Sequence, residues 1–249
     1  MKKYLNNKQI DDYQQLGVIV IKGIFKDWIE PLKIGFDKVL AKPSIHGREN
    51  VASGSPGRFF EDYCNWQRIE EFKDCIFKSP AAQIISEATG SKSVQLFHEH
   101  IFIKDAGTQK ETPWHQDMPY YCVDGNQTGS FWIPLDKVKK NNNLKLILKS
   151  HLWPKLIKPT KWSTEKEIKE NIFVPDLEIG DAVLFNFKIV HGSDANLTSS
   201  QRRAFSMRFI GDDVKFLKRN GPTSPPFDGI NLESGNRMRT DWFPEIFNN

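Results

Sequence analysis

The chain has 249 residues, 39% of them hydrophobic and 27% charged, which suits one folded unit with a buried core and excludes a disordered chain. Its formal charge of +4 comes largely from lysines scattered along the sequence, so no basic stripe for nucleic acid or a membrane surface is expected. Residues 4–15 are polar after Met1-Lys2-Lys3, so no apolar leader core is predicted, and no run of eighteen apolar residues predicts a membrane-crossing helix.

In chain order, Val18–Ile21 is a β-branched run that stops before Gly23, the pattern of a strand. Trp28, Leu32, Phe36, Val39 and Leu40 recur at helical spacing, which predicts a helix over 26–40 with Asp27 as its cap. Residues 43–56 hold Gly47, Gly54 and Pro56 and predict a loop. Residues 58–77 are aromatic-rich and predicted to be helical in part. Ser79-Pro80 opens a further helix and Gly90 closes it. From Ser93 the texture turns to strands, over 94–104, 112–118, 129–135, 144–148, 182–187, 189–193 and 202–210. A polar insert with some helix is predicted over 155–171. The tail, 222–247, with Pro225-Pro226 and Trp242, predicts an ordered but irregular wrap.

Helices first and about eight short antiparallel strands afterwards predict a mainly β fold with flanking helices. Its core is expected to be a double-stranded β-helix, a cupin-like jelly roll. One domain is predicted over 1–249, with a mostly helical buttress (1–92), the jelly-roll core (93–211) and a C-terminal wrap (212–249). Cys64, Cys75 and Cys122 are odd in number and lack C-x-x-C spacing, so free thiols and a reducing, cytoplasmic setting are expected.

The segment Thr112-Pro113-Trp114-His115-Gln116-Asp117 carries the chemistry. His115 and Asp117 are two apart, and on a strand that spacing puts imidazole and carboxylate on one face. Downstream, Val190-His191-Gly192-Ser193 is followed eleven residues later by Arg202. Two histidines and one carboxylate on adjacent corners of an ion, with the other positions open, mark non-haem Fe(II) sites. A buried arginine beside such a site needs an anion, and the distal carboxylate of 2-oxoglutarate supplies one in bidentate geometry. On a strand, Arg202, Ala204, Ser206 and Arg208 share a small, polar face. Arg203, Phe205, Met207 and Phe209 share a bulky one. Arg202 is therefore the arginine expected in the cavity.

These motifs resemble the phytanoyl-CoA dioxygenase family of Fe(II)/2-oxoglutarate oxygenases. The resemblance runs through most of the chain and is closest to a subgroup marked by Gly57-Arg58-Phe59-Phe60-Glu61-Asp62, Trp114-His115-Gln116-Asp117 and Thr223-Ser224-Pro225-Pro226-Phe227. It implies a dioxygenase that uses Fe(II), 2-oxoglutarate and O2 and releases succinate and CO2. It makes His115, Asp117 and His191 the iron ligands, and Arg202, with Ser193, the clamp on the cosubstrate. Trp132 and His100 match positions that line the cosubstrate pocket. His98, Phe102 and Lys104 share a strand face with His100, and which of these meets cosubstrate and which meets substrate stays open. Halogenating relatives need a halide where the carboxylate ligand stands, so Asp117 points to hydroxylation.

The sequence departs from the family at Asn141-Asn142-Asn143, where a glycine-containing turn is usual, and at Lys149-Ser150-His151, where Gly-Ser-His is usual. Asparagine tolerates the left-handed turn. His151 is read as structural. Irregular segments at the mouth of a rigid barrel concentrate binding residues. Arg58, Phe59, Tyr120 and Arg208 are accordingly the expected substrate contacts, with Phe60, Tyr63, Tyr121, Phe227 and Trp242 nearby. They imply a small or medium metabolite carrying a carboxylate or phosphate, with no nucleic-acid or membrane partner. Two other readings are a metal-binding cupin-like protein without oxygenase activity (a sensor or degenerate enzyme) and a zinc hydrolase on the same ligands.

Overall fold

Period-two alternation along the strands decides which side of each sheet meets the helices and which meets the cavity. The computed structural model describes residues 2–156 and 171–249. Among them are four helices, α1 (Asn7–Leu16), α2 (Ile29–Ala41), α3 (Glu70–Lys78) and α4 (Ala81–Thr89). The strands are β1 (Val18–Ile21), β2 (Arg48–Glu49), β3 (Phe59–Tyr63), β4 (Ser93–Lys104), β5 (Thr112–His115), β6 (Val123–Asp124) and β7 (Thr128–Pro134). They continue with β8 (Leu144–Ile147), β9 (Ile172–Phe173), β10 (Ala182–Phe185), β11 (His191–Ser193), β12 (Arg202–Ile210), β13 (Lys215–Phe216) and β14 (Glu245–Asn248).

The larger sheet runs β1-β10-β7-β12-β4-β3-β2, with β14 also paired to β4. A second sheet runs β5-β11-β8-β9, and β13 pairs with β6. The pairings are antiparallel, and residues of both sheets line one cavity, as a jelly roll requires. The bulky face of the larger sheet packs on the helices. Phe60, Ile101, Ile103, Phe131, Ile133, Phe205, Met207 and Phe209 join Leu32, Phe36, Phe72 and Ile84 in the main core.

Phe205 lies at the centre of this layer, fully buried, with its ring centre 4.8 Å from that of Phe72 and 6.4 Å from that of Phe36. Phe205→Ala removes that contact and leaves a cavity between sheet and helices. A loss of about 3–5 kcal/mol in urea-unfolding free energy is expected. A loss under about 1 kcal/mol would show that this layer is not the core.

Several local expectations shift. Asp27 caps nothing: the chain enters α2 through a 3-10 turn, Lys26–Trp28, and α2 has no side-chain cap. The Phe25 amide is held by the Gly180 carbonyl (2.9 Å), which fixes that entry from outside the helix. Residues 59–63 are strand rather than helix, because Phe59, Glu61 and Tyr63 face the cavity while Phe60 enters the core. The predicted loop of 43–56 contains β2, paired to β3. Helix α4 starts at Ala81 with Pro80 at its cap, one residue later than expected. Gly90 closes α4 in the left-handed region, φ 74°, with its amide on the Ser86 carbonyl.

The Asn141–Asn143 turn does not use the left-handed region; the Asn142 side chain instead accepts from the Lys139 amide (2.7 Å). Lys149 does take the left-handed conformation, φ 65°, so the glycine-like shape survives with a lysine in it. His151 is structural: its Nε2 lies 3.1 Å from the Gln14 carbonyl, and a side chain at Gly17 would collide with its ring. Most of the predicted insert of 155–171 lies outside the described residues. The tail over 222–247 is irregular until β14, as expected. Cys64, Cys75 and Cys122 are free thiols. Among the described residues no helix is long and apolar enough to cross a membrane.

Candidate metal centre

Pairing in the smaller sheet brings two histidines together. His191 of β11 stands directly opposite His115 of β5, with ring centres 4.3 Å apart. His115 Nδ1 lies 2.8 Å from the Pro113 carbonyl, and His191 Nδ1 lies 2.9 Å from the Ile189 carbonyl. A carbonyl only accepts, so each Nδ1 carries a proton and Nε2 is the nitrogen whose lone pair can face a metal. Burial, then the neighbouring His115, pushes the His191 pKa down to about 4, so it stands neutral with that lone pair free at neutral pH.

Asp117 completes the cluster, by a route the sequence pattern does not suggest. It is not on a strand with His115. Its backbone is helical (φ −71°, ψ −42°) and caps a 3-10 turn, Met118–Tyr120. The amides of Asp117 and Met118 both donate to the Phe187 carbonyl at 3.0 Å, which folds the turn back over the histidines. Asp117 Oδ1 then lies 3.6 Å from His115 Nε2 and 3.8 Å from His191 Nε2. One ligand atom from each residue falls within 4.8 Å of the others. Ligands at about 2.1 Å from one ion on adjacent corners stand about 3 Å apart, so small side-chain rotations close the set.

The other oxygen of Asp117 is occupied. Arg208 Nε donates to Asp117 Oδ2 at 3.3 Å, leaving Oδ1 for the histidine side. Burial works against the charge of Asp117, but Arg208, His191 and His115 outweigh it and hold its carboxyl well below the usual range. Two imidazoles presenting Nε2 and an ionised carboxylate facing open space fit a divalent first-row metal.

Register explains the rest of the wall. Along β12, Arg202, Ala204, Ser206 and Arg208 stand opposite Lys104, Phe102, His100 and His98 of β4. Across the next pairing, Lys104, Phe102 and His100 face Phe59, Glu61 and Tyr63 of β3, and on the other side Ser206 faces Trp132 of β7. One continuous sheet face thus forms a cavity of about 420 Å³ that opens onto the triad. His98, His100, Phe59, Tyr120, Trp132, Ser193, Arg202 and Arg208 all line it. Burial, then Arg208, holds both His98 and His100 well below the ordinary histidine pKa. Arg203 lies on the opposite face, in a two-bond pair with Asp136 at 3.0 and 2.7 Å.

Among the described residues, buried atoms without a hydrogen-bond partner include His98 Nδ1, His100 Nε2, Arg202 Nε and Arg208 Nη1. Their residues all line this cavity, and such atoms are costly unless a ligand or water meets them. Arg58 is the exception among the expected contacts and is corrected. It precedes β3 on the Phe60 side of the alternation, stacks over the Phe60 ring at 4.6 Å and pairs with Glu49 at 2.6 Å. From the β2–β3 hairpin it is Arg48 that reaches the cavity, paired with Glu61 at 2.7 Å. The alternation of Phe59, Glu61 and Tyr63 was the signal that could have found it. Phe227 and Trp242 line a separate cavity with Trp66 and Asp241, and Phe60 is core.

Comparison with known proteins gives the family and the fold. The model of the phytanoyl-CoA dioxygenase (PhyH) family matches residues 13–204. The peroxisomal phytanoyl-CoA dioxygenase of Rattus norvegicus is 24% identical over 246 residues, covering 87% of this chain and 72% of that protein. The Homo sapiens protein of the same name is 22% identical over 254 residues, with coverage of 84% and 69%. Among solved structures, the epimerase SnoN in complex with Fe3+, alpha ketoglutarate and nogalamycin RO superposes with a TM-score of 0.81 at 16% identity, covering 96% of this chain and 97% of that one. EctD from S. alaskensis with 2-oxoglutarate and 5-hydroxyectoine gives a TM-score of 0.71 at 18% identity, covering 89% and 82%. At these identities the structural likeness speaks for the fold.

Proposed function

The chain belongs to the phytanoyl-CoA dioxygenase family, and from that premise we propose that it is a non-haem Fe(II), 2-oxoglutarate-dependent dioxygenase that hydroxylates a small or medium anionic metabolite. The observation that carries this reading is the convergence of His115 Nε2, His191 Nε2 and Asp117 Oδ1 at the open end of a cavity with a buried arginine on its wall.

Iron and 2-oxoglutarate, when bound, supply the oxidising chemistry: O2 is activated as the cosubstrate loses CO2 and becomes succinate, and a substrate C–H bond is hydroxylated. The chain's own residues position and shield. His115, His191 and Asp117 hold the metal. Their partners Pro113, Ile189 and Arg208 fix which atoms point at it. Arg202 binds the distal carboxylate of the cosubstrate, Ser193 donates to the same end, and Trp132 forms its side wall. Phe59, Phe102, Tyr63 and Tyr120 line the remaining space and exclude water once it is filled.

Arg208 is the anchor for an anionic group on the substrate. Its partner Asp117 shares its charge with the metal when one binds, and Nη1 has no partner. A carboxylate or phosphate on the substrate meets both needs. The space of about 420 Å³ must hold cosubstrate and substrate together, which favours a compact substrate over a long acyl-CoA chain.

The reading is tested by anaerobic reconstitution with Fe(II), followed by a screen of small carboxylates and phosphates for O2-dependent succinate release. Absence of any O2- and 2-oxoglutarate-dependent succinate would reject it. With a substrate in hand, Arg208→Ala is expected to uncouple turnover, lowering product per succinate severalfold, and to weaken metal binding because Asp117 loses its partner. Arg58→Ala, outside the cavity, is expected to change neither. Unchanged coupling in Arg208→Ala, or tight binding of a long-chain acyl-CoA, would sink the anionic-metabolite reading.

A further inference from the structure

Lys104 is the last residue of β4 and is fully buried. It stands opposite Arg202 on β12 and opposite Phe59 on β3. Its Nζ donates to Ser193 Oγ and to the Asp194 carbonyl, each at 3.1 Å, and lies 4.6 Å from the centre of the Phe59 ring. Its neighbour Arg202 is also buried. That guanidinium donates from Nη1 to the Asn142 carbonyl (2.8 Å), lies 5.8 Å from the Trp132 ring centre and leaves Nε without a partner.

Two buried basic side chains thus sit side by side on adjacent strands, held only by neutral groups. Among the described residues no carboxylate comes within 4 Å of either one. The acids in the vicinity are used elsewhere or lie outside: Asp194 pairs with Lys145 at 2.5 Å, Asp105 accepts from Gln201 at 2.7 Å, and Glu111 is exposed. Burial first, and then Arg202, pushes the Lys104 pKa down to about 6. Basic groups buried without a counter-charge destabilise a fold. A protein that keeps two of them beside a cavity has a use for an anion there.

We propose that Lys104 is a positioning residue for the distal carboxylate of the cosubstrate, acting through the Ser193 hydroxyl and together with Arg202; this rests on the 2-oxoglutarate reading above. Once an arriving carboxylate favours the ammonium form of Lys104, that group has no acceptor, so in this contact the Ser193 oxygen must accept. Ser193 also lines the cavity, so its own hydrogen is left free to turn there and donate to a carboxylate oxygen. Lys104 thereby makes Ser193 a fixed donor beside Arg202. The arriving carboxylate supplies the counter-charge that the empty site lacks and favours the ammonium form of Lys104. Arg202 selects for an anion at this end, and Lys104 with Ser193 sets where its second oxygen rests.

The test replaces Lys104 with methionine, which keeps the length and removes the charge. The probes are 2-oxoglutarate and 2-oxovalerate, which share the keto-acid end while only the first has a distal carboxylate. Each is titrated anaerobically into the Fe(II)-loaded protein by calorimetry. Lys104→Met is expected to bind 2-oxoglutarate about ten- to hundredfold more weakly. Its affinity for 2-oxovalerate stays within about twofold of the parent's on the same argument, and Lys104→Arg recovers part of the loss. Adding Ser193→Ala to Lys104→Met should cost little more, because the two act as one unit. The metal-free Met variant should melt no lower than the parent, since the cost of burying a lysine without a counter-charge is gone. Equal weakening for both keto acids, or a lower melting temperature with unchanged selectivity, assigns Lys104 to structure alone and overturns the proposal. If the parent binds 2-oxoglutarate and Lys104→Met binds it as well, only the Lys104 role falls. If the parent binds neither keto acid, the cosubstrate reading falls and this role with it.

Discussion

His115→Ala, Asp117→Ala and His191→Ala are each expected to abolish Fe(II)-dependent succinate release. The visible charge-transfer band of the Fe(II)·2-oxoglutarate complex should vanish with it. Each change removes one of three ligands, and the two that remain do not define one face of an octahedron. The three variants should differ in stability. His115→Ala and His191→Ala remove rings whose Nδ1 atoms bond to nearby carbonyls. Asp117→Ala strips buried Arg208 of the carboxylate it donates to, and a buried ion without its partner costs about 3–5 kcal/mol. Asp117→Ala should therefore melt well below the two histidine variants in metal-free protein. Full turnover in any one of the three would remove that residue from the metal shell. Equal melting temperatures would mean that Arg208 finds another partner.

The sequence carried this site unevenly, for physical reasons. Residues 202–210 alternate polar and bulky along nine positions, so the cavity face of β12 and the core face could both be read before any pairing was known. The same alternation placed His98, His100, Phe102 and Lys104 together. What it could not show was the cross-strand register that sets Lys104 against Arg202 and His98 against Arg208. Such pairings join residues about a hundred positions apart, and no local pattern encodes them. Asp117 shows a different limit. Its spacing from His115 fits a strand, yet the chain leaves the strand at Gln116, and the Phe187 carbonyl fixes the turn from seventy residues away. Pro119, just inside that turn, was the local sign that the strand had ended. Arg58 reads from the sequence as part of an irregular segment at the barrel mouth, while Arg48, in a stretch dense with turn residues, reaches the cavity because β2 pairs with β3. Lys149 shows that a left-handed position need not carry glycine when surrounding contacts hold it, here through its amide to the Leu16 carbonyl at 2.9 Å.

Arg202→Ala is expected to raise the apparent KM for 2-oxoglutarate far more than Arg203→Ala does, although the two arginines are adjacent. The difference comes from the pleat. Arg202 faces the cavity, with its neighbour Lys104 behind Ser193, while Arg203 faces outward into Asp136. Removing a buried charge-assisted partner of a carboxylate costs on the order of 2–5 kcal/mol, a loss of roughly thirty- to several-thousandfold in affinity. Arg203→Ala loses a partly exposed ion pair, worth about 1 kcal/mol of stability at most, and leaves the cavity wall in place. Arg202→Lys should not rescue binding, because a lysine cannot present two parallel donors to one carboxylate, and it would stand against Lys104 across the sheet. The measurement is the dependence of succinate release on 2-oxoglutarate concentration in the three variants. A KM that rises in Arg203→Ala and not in Arg202→Ala would mean that the cosubstrate lies on the other face of β12, and the cavity built by the sheet register would then not be where it binds.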